Sequence, residues 1–297
     1  MNSLRYVHLR LHSEYSVTDG IVRVGDAVKR AAGDRMPALA LTDLGNLFGL
    51  VKFYSAARGK GVKPIAGADV WITNPEAPDD AYRLLLLVRN PRGYQQLCEL
   101  LSKAYLVEGR RDRAEIRREW FKELGSDGLI ALSGAHLGDI GEALINGNYD
   151  LAGERAKAWE AIFPGAFYLE VQRYGQPQQE AIVQQTADIA GELGLPLLAT
   201  HPIQFMTRDD FRAHEARVCI AEGYVLGDTR RPKTYTEEQY FKTQAEMIEL
   251  FADLPEALEN SLEIAKRCNI ELTLGKNFLP DFPTPPGMTL DDFLVAE

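Results

Sequence analysis

The sequence predicts an α/β protein: a distorted seven-stranded β/α barrel with helices appended behind it. Three observations carry that prediction. Short apolar runs rich in Leu, Ile and Val alternate with longer stretches of helical period, the pattern of a mainly parallel sheet wrapped by helices. Seven such runs occur, and seven strands with helices between them favour a barrel over an open sheet. Two runs, "MPALALTD" from Met36 and "LPLLATHP" from Leu195, share a proline, a small apolar run, a threonine and a polar exit, as equivalent staves of one barrel would.

In chain order, strands are expected near "YVHLRL" (6–11), "PALALTD" (37–43), "PIAGADVWI" (64–72), "RLLLLVRN" (83–90), "GLIALSG" (128–134), "FYLEVQR" (167–173) and "PLLATHP" (196–202). Helices are expected near 24–33, 46–59, 91–106, 149–162 and 178–193. After 207 the chain turns helical in "RDDFRAHEARVCIAEG", "TQAEMIELFADL" and "PEALENSLEIAKRCN". This divides residues 1–275 into a barrel over about 1–206 and a helical cover over about 207–270. Pro280, Pro283, Pro285 and Pro286 mark 276–297 as a connection, and Thr289 with Asp292 reads as a capping box opening a new helix. That helix stops at Glu297 without a C-cap, the expectation being a fragment of a longer polypeptide.

Composition narrows the functions. With 45% hydrophobic residues in 297, the chain can bury a sizeable core. It has no apolar run of about 18 residues and no signal-peptide core, so the expectation is a cytoplasmic protein with no membrane contact. Cys98, Cys219 and Cys268 are odd in number and widely spaced, which reads as buried thiols. A net charge of -10 argues against a broad nucleic-acid grip. The one basic cluster, Arg110, Arg111, Arg113, Arg117 and Arg118, reads first as a solvated helix face balanced by Glu115 and Glu119, and second as an interdomain or phosphate contact.

The stretch "HLRLHSEYS" carries the chemistry. As a strand it places His8, Arg10 and His12 on one face over roughly 13 Å, too far for the two histidines to share a metal. The position between them holds a residue that cannot be deprotonated, so the segment looks like half of a site. Working residues in such barrels gather at the strand ends. Here those are Arg10, His12, Asp19, Asp43, Leu44, Asp69, Arg83, Ala135, His201, Pro202 and Gln204. The set has too few ligands at tight spacing for a hydrolytic metal centre. Each member also has a plain reading: a turn for His12 and for Asp19 before Gly20, a helix cap for Asp43, a surface ion pair for Asp69.

The stretches "YVHLRLHSEYSVTDG", "MPALALTDLGNLFGLVKFY", "GVKPIAGADV", "GYQQLCELLSKAY", "GLIALSG" and "LFADLPEALENSLEIAKRCN" closely resemble the N-terminal PHP (polymerase and histidinol phosphatase) domain of bacterial replicative DNA polymerase III alpha subunits. The resemblance covers nearly the whole chain. It implies a distorted seven-stranded barrel followed by the start of the polymerase palm. It also implies a ligand set that this sequence has mostly lost. His12 and Asp19 match outright and Asp69 is a shortened Glu. Arg10, Leu44, Arg83, Ala135, Pro202 and Gln204 stand where the family places other ligands.

The leading reading is therefore a vestigial, metal-free site in which Arg10 and Arg83 neutralise Asp19 and Asp69. As the resemblance implies, such a domain supports the polymerase and docks the proofreading exonuclease (epsilon) subunit, with no cofactor of its own. DNA synthesis, with its Mg, and DNA contact belong to the parent chain. Two alternatives stand beside it. One is a metal-dependent phosphoesterase or 3'-5' nuclease working through His12, Asp19, Asp43 and Asp69, with weakly held Mn, Mg or Zn on His12, Asp19 and Asp69. The other is a phosphate-binding pocket built on Arg10, Arg83 and His201.

Overall fold

The computed structural model describes residues 5–107, 113–277, 279 and 282–296. Among the described residues there are seven strands: β1 (Ala38–Leu41), β2 (Lys63–Ile72), β3 (Tyr82–Val88), β4 (Glu115–Ile116), β5 (Leu129–Leu132), β6 (Phe167–Gln172) and β7 (Leu197–Thr200). Their order is β1-β2-β3-β5-β6-β7, with β4 paired to β2 off that path. Most strand residues are buried on both faces, which is why they read as continuous apolar runs.

Helices α1 (Val24–Gly33), α2 (Leu50–Gly59), α3 (Pro91–Leu106), α4 (Trp120–Leu124), α5 (Asp139–Ile145), α6 (Tyr149–Ile162) and α7 (Gln179–Leu193) follow or separate the strands. The start of α3 shows the local logic. Pro91 sits where an amide donor has no helical partner, and the Asn90 side chain accepts from the Gly93 amide at 3.0 Å. Beyond the barrel lie α8 (Phe211–Glu222), α9 (Gln244–Leu250) and α10 (Pro255–Arg267), then α11 (Leu290–Ala296).

The expected stave at 6–11 is not a regular strand. The His8 carbonyl accepts from the Ala40 amide at 2.9 Å and the Leu11 carbonyl from Thr42 at 3.0 Å. Three residues on one side thus match two on the other, so the segment carries an extra residue, as a bulge does. It still bonds both ways, the His12 amide donating to the Ile203 carbonyl at 3.1 Å. The gap between β1 and the chain leaving β7 is closed by these bonds, and the barrel is distorted there.

The sheet is also less parallel than expected. β3 runs antiparallel to both β2 and β5, reached from β2 by a short loop rather than a helix. Helix 46–59 begins only at Leu50, after a turn fixed by Asn46, whose side chain accepts from the Phe48 amide and donates to the Tyr15 and Leu44 carbonyls. The cover is helical only in part, with residues 224–243 running between α8 and α9 without regular structure and buried at Gln239, Phe241 and Lys242. Cys219 and Cys268 are buried as expected, whereas Cys98 is half-exposed.

Among the basic residues, Arg110 and Arg111 lie outside the described residues. Arg113 pairs with Glu115 at 2.7 Å, and Arg118 donates to Asp139 at 2.6 Å while covering the Trp159 ring. Glu115 lies in β4, so this stretch is no single helix face. Thr289 and Asp292 do cap α11, the Asp292 amide donating to the threonine hydroxyl at 3.1 Å.

Candidate functional site

The site lies at one mouth of the barrel, in a cleft of about 590 Å³. Its centre is Asp69, in the second half of β2 and fully buried. Arg83 reaches it from β3: antiparallel pairing sets Arg83 opposite Trp71, so the first residues of β3 and the last of β2 share one mouth. Its guanidinium makes a two-pronged contact with Asp69, through Nε at 3.1 Å and through Nη2, while lying 4.4 Å from the centre of the Trp71 ring.

Arg10 enters from the N-terminal segment and also donates to Asp69 through Nη1. Its other edge grips Glu170 of β6, Nε to Oε1 and Nη2 to Oε2, both at 2.9 Å. Glu170 is held further by the Gly134 amide at 3.0 Å, Gln172 Nε2 at 3.0 Å and the Thr200 hydroxyl. His12 completes the set, with Nδ1 2.8 Å from Asp19 Oδ2 and Nε2 3.2 Å from Asp69 Oδ2. Only an imidazolium donates from both nitrogens at once. Burial opposes that charge, but Asp19 and Asp69 outweigh it and raise the imidazole pKa to about 9. Burial likewise opposes the charges of Asp19 and Asp69. The cations beside them win, holding Asp19 down at about 2 and Asp69 well below the usual carboxylate range.

The result is three cations, Arg10, Arg83 and His12, against three carboxylates, Asp19, Asp69 and Glu170. The charges balance within this network.

The structure therefore brings together Arg10, His12, Asp19, Asp69, Arg83 and Gln204, with Leu44 and Pro202 lining the same cleft. Ala135 adjoins it on the turn after β5, in the left-handed region at φ 49°. The expected pairing needs correction: both arginines converge on Asp69, and Asp19 is met by His12, Ser16 and Gln204 instead. His8 does not share a face with Arg10 and His12. The extra residue turns it away, and its Nε2 bonds the Lys242 carbonyl at 2.7 Å between Tyr6 and Phe241. His201 does not join the arginines either; fully buried, it bonds the Tyr240 carbonyl at 3.0 Å.

Asp43 is turned onto Ser13, accepting from its amide at 2.6 Å and its hydroxyl at 3.0 Å, and so pins the loop that presents Asp19. Burial pushes its pKa up to about 6 in spite of those bonds. Its folded pKa is raised, so its contribution is favourable below the ordinary value of 3.8 and is lost as pH rises through 6. Asp43→Asn keeps an acceptor for the Ser13 amide without the buried charge. It is expected to raise stability at pH 7 by about 1–2 kcal/mol and to give no gain at pH 4, read from urea unfolding at both values.

Sequence reasoning missed Glu170. The available signal was a glutamate in the middle of the apolar run "FYLEVQ", all six of whose residues are buried. A charge there needs an internal partner.

The donor set does not fit a metal cluster. Guanidinium, Leu44, Ala135 and Pro202 offer no ligand atom, and among the described residues no group of three or more His, Cys, Asp or Glu side chains is arranged to hold a metal ion.

Fold and mouth define an α/β-barrel domain with a buried polar site at the strand ends. The chain belongs to the PHP domain family, whose model matches residues 8–174. It is 54% identical over 297 residues to the DNA polymerase III subunit alpha of Neisseria meningitidis serogroup A, covering 99% of this chain and 26% of that protein. With the same subunit of Escherichia coli K12 it shares 46% identity over 295 residues, covering 99% of this chain and 25% of that protein. The chain thus spans about a quarter of the length of these relatives. Among solved structures, an amidohydrolase from Chromobacterium violaceum with bound sulfate and no metal aligns with TM-score 0.45 and 17% identity, over 71% of this chain and 96% of that one.

Proposed function

We propose that this chain is the PHP portion of a replicative DNA polymerase alpha subunit and acts there as a metal-free scaffold rather than as a phosphoesterase. Template-directed DNA synthesis with Mg, DNA contact and a cytoplasmic setting belong to the parent protein in this reading. The scaffold's partners are the rest of that subunit and the proofreading epsilon exonuclease. Among the described residues, no helix is long and apolar enough to cross a membrane.

The observation that supports the scaffold is the balance of charge at the mouth. Arg10 and Arg83 put fixed positive charge against Asp69, and a metal ion there would have to displace a guanidinium held by two carboxylates. The same network joins the irregular N-terminal stave to β2, β3 and β6, so it also fastens the least regular part of the barrel. Elemental analysis tests this, on protein purified without chelator and again after soaking in excess Zn and Mn, with phosphatase activity read on the same samples. The expected result is less than one retained metal per chain and no turnover. Two or more retained metals with metal-dependent turnover, lost in His12→Ala or Asp19→Ala, would overturn it.

A further inference from the structure

We propose that a second cavity, beside the mouth cleft, receives a small uncharged ring bearing a hydroxyl, a phenol in chemical class, with Thr186 and Gln172 as its hydrogen-bond partners; this goes beyond the scaffold reading and stands without it. The cavity measures about 160 Å³ and lies where the turn after β5, the end of α5, the end of β6 and the start of α7 meet. Its body is apolar, with Val171 and Val183 buried, Ile182 half-buried and Ile145 on the exposed rim. A cavity of that volume with such walls holds one benzene-sized ring. The walls are also fixed by the fold. Ala135 and Gln178, both lining the space, are two of the three described non-glycine residues in the left-handed region, at φ 49° and 60°. L-residues adopt that conformation at a cost, and only where the surrounding structure imposes it.

Two polar side chains on the wall lack a partner. Thr186, on α7, is 4% exposed and lines this cavity but not the mouth cleft. A buried helical threonine can return its hydroxyl to the carbonyl one turn back. Thr186 does not, and among the described residues its hydroxyl has no partner, while its oxygen is not sealed off. Gln172 lines the same wall with an amide whose orientation is set twice over. The Thr200 hydroxyl donates its one proton to Glu170, so it can only accept from Gln172 Nε2 at 3.0 Å, and the Glu170 carboxylate, also at 3.0 Å, requires a donor too. The amide oxygen is therefore left as an acceptor, and it too keeps accessible surface. Charge on the wall at pH 7 belongs to Glu170, whose carboxylate already accepts from Arg10 twice, Gly134, Gln172 and Thr200 and has nothing left for an ion. His136 stays neutral, burial holding its pKa down at about 4. An uncharged ring suits these walls, and a hydroxyl serves both partners, donating to Gln172 and accepting from Thr186.

Ligand-observed NMR titration with p-cresol and toluene, on the protein and on Thr186→Val and Ile182→Trp, tests the proposal. The expected dissociation constant for p-cresol is about 1 mM or tighter, and toluene, which lacks the hydroxyl, should bind about fivefold more weakly. Thr186→Val should erase that preference, and Ile182→Trp, which fills the cavity from its rim, should abolish binding of both, each at a nearly unchanged urea midpoint. If Thr186→Val does not fold, Ile182→Trp still locates the site. N-acetyltyrosine amide distinguishes the sources: binding as tight as that of p-cresol would mean that the ring arrives on a polypeptide, and p-cresol binding alone would mean a free small molecule. No p-cresol binding below about 10 mM, equal binding of toluene, binding that survives Ile182→Trp, or a preference that survives Thr186→Val would each overturn the proposal.

Discussion

Arg10→Met is expected to lower the unfolding free energy by about 3–5 kcal/mol, seen as a lower urea midpoint at unchanged slope. The guanidinium is the one group that touches both Asp69 and Glu170, and all three side chains are buried. Truncating it leaves Glu170 with only neutral donors and Asp69 with one guanidinium fewer. The loss comes mainly from stranding buried charge, not from removing a favourable pair. Replacing both partners, Arg10→Met with Glu170→Met, should therefore recover part of the loss, and the cycle should show coupling of at least about 1 kcal/mol. An exposed pair such as Lys266–Glu263, at 2.5 Å, provides the contrast: its removal should change stability by less than about 0.5 kcal/mol. If Arg10→Met moved the midpoint no further than that, the arginines would not be holding the mouth together.

Much of the barrel is legible in the sequence because its strands are buried on both faces and its helices are amphipathic. Six of the seven expected strands appear within two or three residues of their predicted ends. The exception, residues 6–11, alternates well enough to read as a strand, but its register is set by β1 and by the chain after β7. No pattern internal to the segment reveals an extra residue that its neighbours impose. The antiparallel entry of β3 is hidden for a related reason: a run buried on both faces reads the same in either direction.

The site was legible to the extent that it lies at strand ends. Arg83 lies at the start of β3 rather than at its end, and it reaches the mouth only because that strand is reversed. Glu170 escaped because it projects from within a strand, where neither spacing nor a turn signal draws notice, and its importance appears only once Arg10 is seen to need a second carboxylate. The exchange of partners, with Asp69 taking both arginines and Asp19 taking His12, is a matter of distances that spacing along the chain does not contain.

The proton on His12 gives the largest expected pH effect. Its pKa lies at about 9 in the folded chain against 6.5 for an ordinary histidine, so folding is favoured by protonation. That stabilisation is complete below pH 6.5 and is lost as pH rises through 9. A difference of this size corresponds to about 3 kcal/mol. The depression of Asp19 to about 2 is the same ion pair seen from the acid side, and it predicts a separate loss as pH falls from about 4 toward 2. Urea unfolding at pH 6, 8 and 10 should thus show a steady decline that His12→Gln flattens, since glutamine has no proton to lose. A decline of equal size in His12→Gln would place the titrating group elsewhere and remove His12 from the charge balance. The flat profile would show the third positive charge of the buried network to be a proton that the barrel itself holds in place.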